Sequence, residues 1–188
     1  LDDAGVVLRL PKAALQEAPV TGAEPGMVLA ATGDRPDELG CISAEQRAVV
    51  DAVVQVATGH RNRPLVVQAD RGRGKSAALG IAAGVLLRTG KRILVTAPRP
   101  EAVECLLRFA RSDANSSDPE HASSQPGSSL QFIAPDLLTQ TLPDADLLLV
   151  DEAAAIAPAL LQVWLQRYSR VVFATTVPSI ERVDAQGR

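Results

Sequence analysis

Aromatic side chains are nearly absent. One Trp, one Tyr and three Phe make up 3% of 188 residues. The core must therefore be aliphatic, and 46% hydrophobic residues are enough for a packed domain rather than a disordered chain. Cysteine is as scarce. Cys41 and Cys105 stand far apart in no paired motif, which excludes a disulfide framework or a thiolate zinc site. Both are expected as buried thiols in a reducing compartment. His60 and His121 are the only histidines; His60 follows a helix stop and His121 lies in a polar stretch, and both are expected as ordinary solvent-exposed side chains. No apolar run approaches the roughly 20 residues of a membrane helix, and no basic start leads into an apolar stretch. A soluble, cytoplasmic protein with no membrane partner is expected. Basic excess is missing too: 19 Lys and Arg against 22 Asp and Glu give a net charge of -3, so the total carries no nucleic-acid footprint. Locally, Arg61, Arg63, Arg71, Arg73, Arg88, Lys91 and Arg92 gather in mid-chain. That fits a solvated face with one phosphate site as well as it fits a nucleic-acid patch. The first residue is Leu1 and the last segment is "VDAQGR", so a piece of a longer protein is expected, with a processed terminus as the alternative.

What is present is an alternation of strand and helix signals. Residues 1–40 hold two short strand-like runs, "VVLRLP" and "GMVLAA", and a turn-rich linker, "TGDRPDELG". They are expected as N-terminal strands and linker, or as the end of a preceding domain. From 41 the pattern changes. Ser43 with Gln46 three residues later predicts a capped helix with Val49, Val50, Val53 and Val56 on its apolar stripe, ending at Gly59. "RPLVVQA" reads as a buried parallel strand, "KSAALGIAAGVLLRTG" as a smooth alanine-rich helix, "KRILVTA" as a strand and "RPEAVECLLRFA" as a helix. Residues 111–130 are polar and predict a flexible surface insertion. "LQFIAP" and "DLLLV" then read as strands, "PALLQVWLQRY" as an amphipathic helix packing Trp164 into the core, and "RVVFATTV" as a final central strand. The alternation predicts a three-layer α/β fold, residues 41–188, with a parallel sheet and helices on both faces.

The stretch "ADRGRGKSA" carries the first chemistry. A phosphate-binding loop needs backbone N–H groups turned inward, a lysine for the outer phosphates and a hydroxyl for Mg²⁺, on a turn between strand and helix. Gly72 and Gly74 permit the curvature, Lys75 would reach the phosphates, and Ser76 would hold the ion. Asp70, Arg71, Arg73 and Ala77 complete the expected cradle, and the helix opening near Lys75 adds its positive end. Arg71 and Arg73 could equally contact an RNA backbone or pair with Asp70. The usual pattern has glycine where Ala69 stands, a small cost if the backbone there keeps a negative φ.

Three further pieces fit a nucleotide site. Asp151, ending the most apolar strand, can hold Mg²⁺ through water, and Glu152 can orient and activate an attacking water. In hydrolysing P-loop enzymes of RecA-like build, a strand such as "VVFATT" lies between the two motif-bearing strands. Thr175 or Thr176 could then sense the γ-phosphate or hold the water. Gln46, ahead of the first motif strand, can read adenine through its amide. No "NKxD" guanine reader is present, so ATP is expected rather than GTP.

Taken together, "RGRGKS", "LVTAPRPEAVECLLRFA", "LLLVDEAAAIAPALL" and "VVFATTVPSIE" resemble the helicase-like module of the tRNA(Met) cytidine acetyltransferase family, over about residues 43–188. That family tolerates a small non-glycine residue at the place of Ala69. The resemblance implies a RecA-like P-loop ATPase module within a larger chain. That chain also carries an N-terminal domain, a GNAT acetyltransferase domain binding acetyl-CoA, and an RNA-binding part. It implies ATP and Mg²⁺ as cofactors, and tRNA and the other domains of the parent chain as partners. The implied product is N4-acetylcytidine at the wobble position of elongator tRNA(Met). By motif, Lys75 and Ser76 match the nucleotide-binding pair, Asp151 and Glu152 the ion- and water-handling acids, and Gln46 the helicase-type glutamine. The acetyltransferase part is absent from this sequence. Two other readings compete: a RecD-like DNA helicase fragment, and a nucleotide-dependent RNA- or protein-binding module that does not hydrolyse.

Overall fold

The computed structural model describes residues 6–9 (backbone only), 37–59, 62–69, 72, 74–112 and 127–176. The "GMVLAA" run, His60, Arg61, Asp70, Arg71, Arg73, His121, most of the 111–130 insertion and residues 177–188 lie outside them.

Among the described residues, six parallel strands form one sheet. In chain order they are β1 (Val6–Arg9), β2 (Leu65–Ala69), β3 (Arg92–Thr96), β4 (Ser129–Phe132), β5 (Leu147–Val150) and β6 (Val171–Thr176), and their spatial order is β1-β2-β6-β5-β3-β4. The helices are α1 (Ala44–Thr58), α2 (Lys75–Leu87), α3 (Glu101–Ser112), α4 (Pro135–Thr141) and α5 (Pro158–Arg167). Strand β6 lies between β2, which leads into the phosphate-loop sequence, and β5, which leads into Asp151. This is the RecA-like order expected of a hydrolysing P-loop protein. Val6–Arg9 extends the same sheet as an edge strand beside β2.

The two faces are filled separately. On one, α1, α2 and α3 bury Val49, Val50, Val53, Ala78, Leu79, Ala82 and Leu106 against Val67, Val95, Leu149 and Ala174. On the other, α4 and α5 bury Leu138 and Trp164 against Leu94, Leu148, Val150 and Phe173. The central strands are apolar on both sides because both sides are covered: all four residues of β5 are buried. Helix α2 sits so close to α3 that a Cβ at Gly80 would fall 2.4 Å from the Leu106 carbonyl oxygen.

Helix α1 starts as its sequence predicts. The Ser43 hydroxyl accepts from the Gln46 backbone N–H at 3.2 Å. The reciprocal half of the capping box is displaced by one residue, since Gln46 Oε1 accepts from Ile42 N rather than from Ser43 N. Trp164 is fully buried, and its indole N–H reaches Thr139 Oγ1 at 3.1 Å, which satisfies the one polar atom of the ring. Helix α4 is not evident from sequence periodicity. Its signals are Pro135 in the first turn and Asp136 beside it, over only seven residues. Of the two thiols, Cys41 is buried and Cys105 only partly so, because α3 turns Val103, Leu106 and Ala110 inward and leaves Cys105 at the margin. The mid-chain basic cluster also divides. Arg63 and Lys91 precede β2 and β3, and Arg92 opens β3, where it pairs with Asp146. These three therefore lie at the end of the sheet opposite Lys75, which follows the carboxyl end of β2.

Candidate nucleotide site

The site forms where β2, β6, β5 and β3 end. Ala69 is the last residue of β2 and stands opposite Thr176 of β6 in extended backbone. The missing glycine is therefore not required there. Positive φ falls instead on Gly72, at 79°, and on Gly74, at 72°. Those two glycines carry the curvature, and Ala69 contributes its carbonyl, which accepts from Lys75 Nζ at 2.8 Å.

Gly74 caps α2 without any side-chain acceptor, and no acidic residue occupies the first turn of that helix. Its N-terminal N–H groups thus keep their anion-attracting character. A Cβ at Gly74 would also sit 2.1 Å from Gln46 Nε2, so a side chain there requires the Gln46 amide to move. Gln46 is buried, with its oxygen held by Ile42 N and its amide nitrogen against the phosphate loop. The start of α1 is thereby packed against the start of α2.

Ser76 and Asp151 meet across the sheet edge. Ser76 Oγ donates to Asp151 Oδ2 at 2.6 Å, and the Glu152 backbone N–H donates to Asp151 Oδ1 at 2.9 Å. The Asp151 backbone N–H in turn donates to the Thr96 carbonyl at 2.9 Å. Asp151 is 2% exposed. Burial pushes its carboxyl above the ordinary aspartate value. The hydrogen bonds from Ser76 and Glu152 and the Lys75 charge pull the other way, and the Glu152 charge adds to the rise. A cation here would relieve that cost. A hydroxyl beside one carboxylate is the hard-oxygen set that suits Mg²⁺, which keeps several waters and completes its shell with phosphates. Among the described residues no group of three or more His, Cys, Asp or Glu could hold a metal by itself.

Glu152 follows in the left-handed region, φ 49°, at the head of a short 3-10 turn, Ala153–Ala155. A glutamate there carries strain, a condition found often at functional sites. Thr175 and Thr176 end β6 and are partly exposed. Strand alternation separates them. Thr176 shares the α2 side with Ala174, and Thr175 shares the α5 side with Phe173, beside the 153–155 turn. Lys75, Ser76, Asp151, Glu152 and both threonines thus gather at one edge. Asp70, Arg71 and Arg73 fall outside the described residues, and Ala77 is buried in the first turn of α2.

Residues 66–182 match the family model described as RNA cytidine acetyltransferase NAT10/TcmA, helicase domain. The chain belongs to this family. Its NAT10/TcmA helicase domain is similar to part of the tRNA(Met) cytidine acetyltransferase TmcA of Vibrio cholerae, 48% identical over 73% of this chain and 20% of the relative. It is likewise similar to TmcA of Nitrosococcus halophilus, 48% identical over 81% of this chain and 21% of the relative. The chain thus spans about a fifth of the length of the curated relatives it matches. Among solved structures, the large terminase ATPase domain of Thermus phage P74-26 overlays with a TM-score of 0.39 at 20% identity, over 68% of this chain and 63% of that one. No helix among the described residues of the NAT10/TcmA helicase domain is long and apolar enough to cross a membrane.

One residue at the site escapes sequence reasoning. Thr96, at the end of β3, is fully buried, and its Oγ1 has no hydrogen-bond partner among the described residues. In "RILVTA" a threonine reads as a β-branched strand filler, and only packing distinguishes it.

Proposed function

We propose that this chain is the ATP-binding and ATP-hydrolysing helicase-like module of a tRNA cytidine acetyltransferase. The parent protein would form N4-acetylcytidine at the wobble position of elongator tRNA(Met), with acetyl-CoA bound in a domain that this sequence does not include. Residues 41–188 would make up the RecA-like unit, joined at the sheet edge by the Val6–Arg9 strand. The cytoplasm, where tRNA is modified, is the proposed location. The observation that carries the reading is the bond from Ser76 Oγ to Asp151 Oδ2 at 2.6 Å, which joins the two nucleotide motifs at the carboxyl edge of the sheet.

Each residue then has a physical task. Gly72, Gly74, Lys75, Ser76 and Ala77 would cradle the phosphates, with Asp70, Arg71 and Arg73 proposed as further members of that cradle. Lys75 exchanges the Ala69 carbonyl for phosphate oxygens, an exchange of a neutral acceptor for a charged one. Ser76 and Asp151 would hold Mg²⁺, which when bound offsets the charge of the phosphates. Glu152 accepts a proton from, and so orients, the attacking water, and Thr175 fixes that water from the neighbouring strand. Gln46, already seated on Gly74, would read adenine with its amide group while sensing the loop. Hydrolysis would drive placement of the tRNA, while chemistry at cytosine proceeds in another domain of the parent.

The deciding measurement is ATP turnover by the full-length parent with and without elongator tRNA(Met), alongside Lys75→Ala and Glu152→Gln. The reading expects tRNA-stimulated turnover, loss of ATP binding in Lys75→Ala, and binding without turnover in Glu152→Gln. Unchanged affinity in Lys75→Ala would sink it. Stimulation by single-stranded DNA instead would favour a DNA helicase, and binding with no turnover in the parent would favour a non-hydrolysing module.

A further inference from the structure

Thr96 stands one strand away from the acids, and its hydroxyl makes no hydrogen bond among the described residues. Register fixes the face it occupies. Thr96 pairs with Val150, just as Leu94 pairs with Leu148, and Leu94, Leu148 and Val150 all belong to the core on the α5 side. Ala153 and Ile156, from the turn that Glu152 opens, belong to that same core. The Thr96 side chain therefore lies on the face onto which the Glu152 turn folds. Its own backbone is fastened to that segment, since its carbonyl accepts from Asp151 N at 2.9 Å. Across β5, Thr175 occupies the corresponding face of β6, so two hydroxyls flank the end of the acid-bearing strand.

A buried hydroxyl without a partner is costly, and valine would fill the same space without that cost. The other strain at this edge is the left-handed backbone of Glu152, directly after the Asp151 that Thr96 holds. Both are relieved together if the turn shifts and hands one of its polar groups to Thr96.

We propose that Thr96 is a positioning residue for Glu152: its hydroxyl takes up a hydrogen bond with the Asp151–Glu152 turn when nucleotide is bound, and so sets the place of the Glu152 carboxylate. This rests on the ATPase reading above. The fully buried hydroxyl without a partner, on the face that receives the turn, carries it.

The test uses the full-length parent with Thr96→Val and Thr96→Ser. In the nucleotide-free protein, Thr96→Val should leave Tm unchanged or raise it, because no hydrogen bond is lost. With ATP and tRNA, its kcat should fall about tenfold, the worth of one hydrogen bond made only in the loaded site, with KM for ATP held within about twofold. Thr96→Ser should restore kcat. A lowered Tm with unchanged kcat in Thr96→Val would mean that the hydroxyl serves the resting fold, through a buried water, and would overturn the proposal. Equal falls in kcat for the Val and Ser variants would overturn it too, since the methyl group would then be what matters. Absence of turnover in the unsubstituted parent overturns the ATPase reading and this one with it. Normal turnover that Thr96→Val does not alter overturns this one alone.

Discussion

Ser76 and Asp151 lie 75 positions apart in the chain, yet the Ser76 hydroxyl donates to the Asp151 carboxylate at 2.6 Å. That bond closes the first turn of α2 onto the end of β5 and leaves a carboxylate almost wholly out of water. Its worth to the fold depends on charge. Burial raises the Asp151 carboxyl above 3.8. The folded chain therefore binds more protons than the unfolded chain over the interval from 3.8 up to the raised value. The contribution of this group to stability is intact below that interval and is lost as pH rises through it, the reverse of a salt-bridged aspartate. Asp151→Asn removes the slope and keeps groups that can pair with Ser76 and the Glu152 N–H. Thermal melts of this chain from about pH 4 to about pH 8 should show the variant gaining on the unsubstituted protein as pH rises. The same substitution in the full-length parent should abolish Mg²⁺-dependent ATP turnover. A variant that melts lower at neutral pH would show that the ionised carboxylate stabilises the resting fold.

Glu152 offers a second trade between stability and activity. Holding a residue with a Cβ in the left-handed region costs about 1–2 kcal/mol. Glycine relieves that and gives back roughly 0.5–1 kcal/mol through the added freedom of the unfolded chain. Glu152→Gly should thus raise unfolding free energy by about 0.5–1 kcal/mol, read by urea denaturation, and should abolish turnover in the parent. Glu152→Gln should abolish turnover with no gain in stability, because its φ stays at 49°.

Much of this was legible beforehand, for reasons that differ by residue. Lys75 and Ser76 follow a strand and open a helix, a context that the sequence displays directly. Asp151 and Glu152 end a run of four buried residues, "LLLV", whose apolarity marks a strand covered on both faces. The middle position of β6 followed from the motifs on either side. What escaped detection needed three-dimensional register. Thr96 joins Thr175, which the sequence does single out, at the end of the acid-bearing strand only because β3, β5 and β6 pair in the register they do. Helix α4 has too few turns for periodicity, and of its adjacent leucines Leu138 is buried while Leu137 is exposed. The basic cluster stays open in the sequence between a solvated face with one phosphate site and a nucleic-acid patch, because sequence neighbours alone do not say which end of the sheet each residue occupies. In a parallel sheet, residues entering a strand and residues leaving it lie at opposite ends.

Gly74 answers to two independent constraints, which a double substitution separates. Alanine at φ 72° carries about 1–2 kcal/mol of backbone strain. Its Cβ would also meet Gln46 Nε2 at 2.1 Å, far inside van der Waals contact. Gly74→Ala alone should therefore destabilise by more than the backbone term. Combined with Gln46→Ala, the steric part should vanish and the backbone part remain. The coupling energy, on the order of 1 kcal/mol or more, is read from denaturation of the two single variants and the double. Strict additivity would mean that Gln46 swings away freely and does not lock α1 to the loop.

Gly80 sets helix propensity against packing. Within α2, alanine is favoured over glycine by about 1 kcal/mol, and the backbone here takes no positive φ that would forbid it. Against this, the added Cβ would lie 2.4 Å from the Leu106 carbonyl oxygen and 2.7 Å from Phe109 Cβ. Neither neighbour is the tip of a flexible side chain, so α3 itself must move away, and overpacking of this kind costs about 1–3 kcal/mol. Packing should win. Gly80→Ala should lower the urea midpoint with little change in the denaturant slope, because the surface exposed on unfolding is the same. ATP affinity of the parent should hold, since the Ser76–Asp151 edge lies at the start of α2 and Gly80 more than one turn further on. A raised midpoint would show that α2 and α3 are not pressed together at Gly80, and that the alanine-rich face of α2 has room to spare.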